Sequence, residues 1–158
     1  MTDESDPLAA MGRVASGIYI LTVSSGGQST GMLASWVMQA GFEPPMLSVA
    51  VKKGRYVEDW LTDGHAFVVN IVAEKQFDLL KHFGSGFDLG VPAFEGVPTE
   101  PSSAGVPIIS DCLGHLECEP VSHVDSGDHR VFLGKVLRGD LHADAQPMTH
   151  IRKTGSHY

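Results

Sequence analysis

Ser16-Gly17-Ile18-Tyr19-Ile20-Leu21-Thr22-Val23-Ser24-Ser25-Gly26-Gly27-Gln28-Ser29-Thr30-Gly31-Met32-Leu33-Ala34-Ser35-Trp36 is the stretch on which the fold turns. Ile18–Ser24 is rich in β-branched and aromatic residues and reads as a strand. Ser25-Gly26-Gly27 is a hairpin turn, because two adjacent glycines supply the positive φ that a tight hairpin needs. A second strand follows over Gln28 to about Trp36. Ile18–Ser24 is apolar on both faces, not on alternate residues. Phe67–Val72 and Val131–Leu137 share that property. A closed antiparallel barrel accounts for it: one face fills the interior, and helices or a second subunit cover the other.

Working outward, Asp6-Pro7 predicts a helix start, with Asp6 as N-cap and Pro7 in the first helical position, running to about Ala15 before Gly17 breaks it. Pro44-Pro45 opens a third strand, Met46–Lys52. Val57, Trp60 and Leu61 mark one amphipathic helix, and Phe77, Leu80 and Phe83 another, with a strand from His65 to Val72 between them. Gly84–Ser110 reads as a long Gly- and Pro-rich loop. Cys112 to about Val124 and His129 to about Leu141 are strands joined by Asp125-Ser126-Gly127-Asp128. Along the first, Cys112, Gly114, Leu116 and Cys118 face inward, and His115, Glu117 and Glu119 outward. The tail from Gln146 to Tyr158 shows no periodicity. The whole is mainly β, an antiparallel barrel of about six strands with two or three short helices, and residues 1–158 read as one domain.

Composition narrows the partners. Eleven Lys and Arg against nineteen Asp and Glu leave a net charge of −8, which argues against nucleic acid or an anionic membrane as a partner. Any bound anion must then be held by a local cluster of the few cations. The two cysteines, six residues apart on one strand, lie about 20 Å from each other, too far for a disulfide. They read as buried thiols of a reducing cytoplasm. Met1–Pro7 is acidic with no apolar core, so no signal peptide is expected, and no apolar run reaches the length of a membrane span.

Three constellations carry chemistry. Lys52-Lys53-Gly54-Arg55 places three of eleven positive charges within four residues, where a strand passes into a helix. That junction suits a phosphate, although a solvated basic turn has the same sequence. Thr30-Gly31-Met32-Leu33-Ala34-Ser35-Trp36 offers small residues, backbone donors and an aromatic wall to a flat ring, or else a tightly packed core strand. Gly127-Asp128-His129 sets an imidazole beside a carboxylate at a strand mouth. Gly84-Ser85-Gly86-Phe87-Asp88-Leu89-Gly90 is one residue too long for the dinucleotide fingerprint and follows no strand. The eight histidines form no His-x-x-x-His pair, and no metal site is expected.

Taken in order along the chain, Ser16–Thr22, Gly31–Ala40 with Pro44-Pro45, Phe67-Val68-Val69-Asn70-Ile71 and Gly127-Asp128-His129 resemble the flavin reductase-like family, whose fold is the FMN-binding split β-barrel. Met32-Leu33-Ala34-Ser35-Trp36 with Gln39, and the ending Ile151–Tyr158, resemble most the flavin reductase modules fused to flavodiiron proteins. The resemblance implies a homodimer with FMN, or FAD, near the subunit interface. It implies NADH or NADPH as hydride donor, and an acceptor or an electron-accepting partner protein for the electrons. It assigns Met32, Leu33, Ala34, Ser35, Trp36, Lys52, Lys53, Arg55, Tyr56 and Asn70 to flavin binding and His129 to the nicotinamide half of the site. An NAD(P)H:flavin oxidoreductase is therefore expected. The alternatives are a flavin-binding electron carrier without a nicotinamide site, and a split barrel that holds haem or another ligand.

Overall fold

A computed structural model describes residues 5–158. The leader reading of Met1–Pro7 thus lies largely outside the described residues. Among those described, no helix is long and apolar enough to cross a membrane. Helix α1 (Pro7–Met11) begins as its sequence dictates: the Asp6 carboxylate accepts from the Leu8 and Ala9 amides, at 3.0 and 3.3 Å. It stops at Met11, four residues short of Ala15, because tertiary pairing overrides local preference. A Cβ at Gly12 would meet the Arg152 carbonyl at 2.6 Å, and Ser16–Gly17 (β1) pairs with Thr149–His150 (β11) near the chain's end.

Strand β2 (Tyr19–Ser25) and β3 (Gln28–Ala34) form the expected hairpin, with Gly26 and Gly27 at φ 57° and 81°. Next come β4 (Val37–Phe42), β5 (Pro45–Lys52), α2 (Tyr56–Thr62), β6 (Phe67–Ile71) and α3 (Phe77–Phe83). A small hairpin, β7 (Thr99–Pro101) with β8 (Pro107–Ile109), breaks the long loop. Then β9 (Gly114–Ser126) and β10 (His129–Leu141) precede β11. The main sheet holds seven antiparallel strands in the order β3-β2-β6-β9-β10-β5-β4. Its two outermost strands, β3 and β4, are consecutive in sequence and joined only by Ser35-Trp36. Three peptide steps reach at most about 11 Å, so the sheet must curl until its edges nearly meet. They do not pair, and the barrel is split there, with Trp36 in the gap.

The sequence reading ran β3 through Trp36 and missed β4, hence six expected strands against seven. No Gly or Pro marks the break at Ser35-Trp36. The stripe of α3 is also rotated: Phe77 is 64% exposed, and Leu79 and Phe83 are the buried pair at i, i+4. The barrel interior is packed by Leu21, Val23, Val49, Val51, Phe67, Val69 and Phe132. A second cluster beneath α3 gathers Ile18, Ile20, Phe83 and Ile109. Gly134 and Gly31 are glycines because aromatic rings lie against them: a Cβ would come within 2.6 Å of Phe67 and 2.7 Å of Phe83. Arg130 on β10 reaches the buried Glu58 of α2 at 3.0 Å and fixes that helix over the barrel. His115 and Glu117, expected on the solvent face, are largely covered. Glu117 accepts from the Ser103 amide in the β7–β8 turn at 2.9 Å, and His115 lies 2.7 Å from His142.

Candidate flavin and nicotinamide site

The split in the barrel positions Trp36. Its carbonyl accepts from the Ala50 amide at 3.0 Å, which ties the loop to β5. An apolar groove of about 390 Å³ runs past it, lined by Met11, Val14, Ser35, Trp36, Val37 and Val131 among others. His129 stands beside it because β10 pairs with β5 in a register that sets His129 opposite Lys52. The Trp36 and His129 ring centres are 4.6 Å apart.

Two partners select the tautomer of His129. Its Nδ1 lies 2.7 Å from Asp128 Oδ1, and its Nε2 contacts the Tyr158 hydroxyl. The hydrogen bond from His129 holds the Asp128 carboxyl below the usual carboxylate range, so this carboxylate accepts and Nδ1–H donates. In the neutral ring Nε2 is then a bare acceptor, and the Tyr158 hydroxyl donates to it. Burial raises the Tyr158 phenol above its ordinary value, so it keeps that proton near neutral pH. The Tyr158 ring centre also sits 5.0 Å from Trp36, and the Arg152 guanidinium 5.3 Å from the Trp36 ring.

The basic cluster divides. Lys53 is turned toward the β9–β10 turn, 3.5 Å from Asp125, and its amide donates to the Asp128 carbonyl. Lys52 and Arg55 are exposed and make no ion pair among the described residues. Arg55 precedes α2 and opens onto a cleft of about 280 Å³ lined by Thr30, Gly31, Met32, Tyr56 and Ser85–Asp88. Tyr56 closes one wall: its hydroxyl donates to the Phe87 carbonyl at 2.6 Å and lies 2.9 Å from Thr30 Oγ1.

The structure thus brings Ser35, Trp36, Lys52 and His129 to one rim, and Met32, Arg55 and Tyr56 to a second cleft. Ala34 points into the barrel core and Leu33 into the cluster beneath α3, so along this part of β3 the backbone, not these side chains, is what a ligand meets. Asn70 stands apart. It is fully buried, donates to the Ile20 carbonyl at 2.9 Å and accepts from the Ile109 amide at 2.9 Å, with Thr22 Oγ1 at 3.2 Å. Its amide ties strands together and has no free edge for a cofactor. Sequence reasoning missed Tyr158 and Arg152 as site residues: the tail that carries them is unpatterned, and the resemblance of Ile151–Tyr158 to the fused modules gave neither of them a role. It also set aside Ser85–Asp88 for want of a phosphate-loop spacing, although that loop lines the cleft.

The fold and this rim define a split-barrel flavoprotein of the flavin reductase class. The sequence model of the flavin reductase like domain matches residues 11–156, and the chain belongs to that family. It is 42% identical over 158 residues to diflavin flavoprotein A 1 of Synechocystis sp., covering 98% of this chain and 27% of that protein. It is 42% identical over 151 residues to putative diflavin flavoprotein A 3 of Nostoc sp., covering 94% and 26%. The chain therefore spans about a quarter of the length of the curated relatives it matches. Among solved structures it superposes on the NADH:FAD oxidoreductase SgcE6 of Streptomyces globisporus C-1027 with a TM-score of 0.84 at 27% identity, over 90% of this chain and 85% of that one. The styrene monooxygenase flavin reductase of Pseudomonas putida S12 gives 0.77 at 26% identity, over 90% of each chain.

Proposed function

We propose that this chain is an NAD(P)H-dependent flavin reductase. It transfers a hydride from NADH or NADPH to FMN, with FAD the alternative flavin, and passes the electrons to an acceptor or partner protein. One observation carries the reading: at the split of the barrel an imidazole of fixed tautomer, His129, packs on the Trp36 ring and stands opposite Lys52, a cation with no ion-pair partner among the described residues. The residues present fit a flavin. Arg55 and Lys52 are free for a phosphate, the Gly31–Tyr56 cleft admits a chain of hydroxyls, and the Trp36 groove takes a flat apolar ring. A bound flavin supplies the two-electron chemistry; the protein supplies orientation and shielding. His129 Nε2 offers an acceptor to a carboxamide N–H and so sets the angle of the nicotinamide. A misplacement of about 1 Å at this position costs on the order of 100-fold in rate.

The exposed face of the sheet supports a homodimer. Cross-strand partners share a face, so the register places Met38, Ser48, Leu133 and Ser122 in one row, and Ala50, Val131 and Val124 in the next. Met38 is 65%, Val124 63% and Leu133 37% exposed, an apolar patch continuous with the Trp36 groove. A second copy seated there would complete the groove wall.

The reading is tested on protein reconstituted with FMN under argon. NADH or NADPH should bleach the flavin at catalytic rates. Bleaching by dithionite alone would leave an electron carrier and overturn it. Arg55→Ala should weaken FMN about 10- to 150-fold, the value of one charge-assisted contact of about 1.5–3 kcal/mol, and leave riboflavin nearly unchanged. Equal loss for both flavins would remove the phosphate role of Arg55.

A further inference from the structure

Tyr158 makes contacts that a strand-end residue has no need of. Its ring lies 5.0 Å from Trp36 and 5.7 Å from His129, and its hydroxyl takes the one lone pair that Asp128 leaves free on the imidazole. Yet Tyr158 is 54% exposed. The segment leading to it is pinned upstream: the Arg152 amide donates to the Gly12 carbonyl at 2.8 Å, and the Gly155 amide to the Leu8 carbonyl. Beyond Gly155 the backbone is held, among the described residues, only from within the tail: the Ser156 amide donates to Thr154 Oγ1 at 3.3 Å and the Arg152 guanidinium to the His157 carbonyl at 2.8 Å. The ring can leave Trp36 without disturbing α1 or the β1–β11 pair.

We infer that Tyr158 is a displaceable cap on the site: its phenol occupies the place of a nicotinamide ring and carboxamide, and it swings aside when the dinucleotide binds. The inference rests on the flavin reductase reading above. The chemical match is close. A phenol presents a six-membered ring and one O–H donor; a nicotinamide presents a six-membered ring and an amide N–H donor. Trp36 receives the ring in either case, and His129 Nε2 receives the donor. The charged groups that face Tyr158 are Arg55, Asp128 and Arg152, and the two arginines suit a ligand that brings phosphates with it. In its seat the phenol shields Trp36 and the imidazole from water while no dinucleotide is present.

A cap that competes with a ligand weakens its apparent affinity by the fraction of time the seat is taken. NAD+ is titrated by calorimetry into FMN-reconstituted wild type, Tyr158→Ala and Tyr158→Phe. Removing the ring should tighten NAD+ by about 5- to 30-fold, the worth of one neutral hydrogen bond and one aromatic contact. Tyr158→Phe, which keeps the ring, should give a smaller gain. FMN affinity, measured separately, should stay the same in all three. In apoprotein carrying ¹³C-labelled tyrosine, saturating NAD+ should move the Tyr158 ring signals to those of a solvent-exposed tyrosine. NAD+ affinity in Tyr158→Ala equal to or weaker than wild type overturns the cap and leaves the flavin reductase reading standing. Failure of all three proteins to bind NAD+ overturns both.

Discussion

The β2–β6 side of the sheet and the β10–β5–β4 side are made of similarly apolar strands but finish differently. On the first side both faces are covered, the inner by the barrel core and the outer by α3 and the β7–β8 hairpin. Every backbone group there must find a partner inside the protein, and Asn70 and Thr22 exist to supply them: Asn70 bridges β2 and β8, and the Thr22 hydroxyl donates to the Pro107 carbonyl at 2.6 Å. On the second side the outer face is open, and the polar side chains of the β9–β10 turn work at its rim on one another and on Lys53. Burial on both faces makes polar residues structural; an open face leaves them available to ligands.

The largest effect should come from breaking the closed side. Asn70→Ala leaves the buried Ile109 amide and the inner edge of Ile20 without their side-chain partner. At about 1–3 kcal/mol for each orphaned group, the loss should be about 3–5 kcal/mol in urea unfolding. A loss under about 1 kcal/mol would mean that water enters this part of the core, and the contrast between the two sides would collapse.

How much of this was legible in the sequence follows the same division. The β2–β3 hairpin was readable because Gly26-Gly27 and a run of β-branched residues are local signals, and so was the Asp6-Pro7 helix start. The break between β3 and β4 was not, since Ser35-Trp36 is no turn signal and only closure of the sheet demands the bend. Asn70 was assigned to the cofactor through family resemblance, because nothing local distinguishes a strand amide that bonds a ligand from one that bonds Ile109. His129 and Asp128 were visible as a turn motif. Tyr158 was not, because its contact with them arises from tertiary packing across 29 residues. The apolar outer face of β10 was legible because Val131–Leu137 is apolar on both faces, which calls for a cover of helices or of a second subunit.

The two sides should also respond to pH with opposite sign. Burial pushes the Cys112 thiol up to about 11 and Cys118 to about 12, from an ordinary 9.0. Unfolded thiols lose their protons above about pH 9 while the folded ones keep them, so folding stability should fall as pH rises through that window, by up to about 1.4 kcal/mol per pH unit for each thiol. Asp125 and Asp128 lie at the open rim, lowered first by hydrogen bonds from Arg130 and His129 respectively. Their contribution is fully present above the ordinary carboxylate value and is lost as pH falls from there through their lowered folded values. Urea midpoints from pH 8 to 11, compared between wild type and Cys112→Ala/Cys118→Ala, isolate the thiol part. Parallel curves would show that the thiols do not couple to folding.

The smallest effect on the fold should come from the open side, and there the test is of assembly. Leu133 sits between Ser48 and Ser122 in register, on the face that carries Met38, Val131 and Val124. A glutamate at 133 needs no room in the core and meets solvent in the isolated protomer, so Leu133→Glu should change protomer stability by no more than about 0.5 kcal/mol. In a dimer built across a two-fold axis each patch faces its own copy, and the new carboxylates would be desolvated against an apolar surface, or against each other if Leu133 lies near the axis. Sedimentation at micromolar concentration should therefore show a dimer for the wild type and a monomer for the variant. FMN affinity should fall with it, because the Trp36 groove loses the wall that a second copy provides. A wild-type monomer, or a Leu133→Glu dimer with full flavin affinity, would mean that the open face is simply a surface and that the groove is complete within one chain.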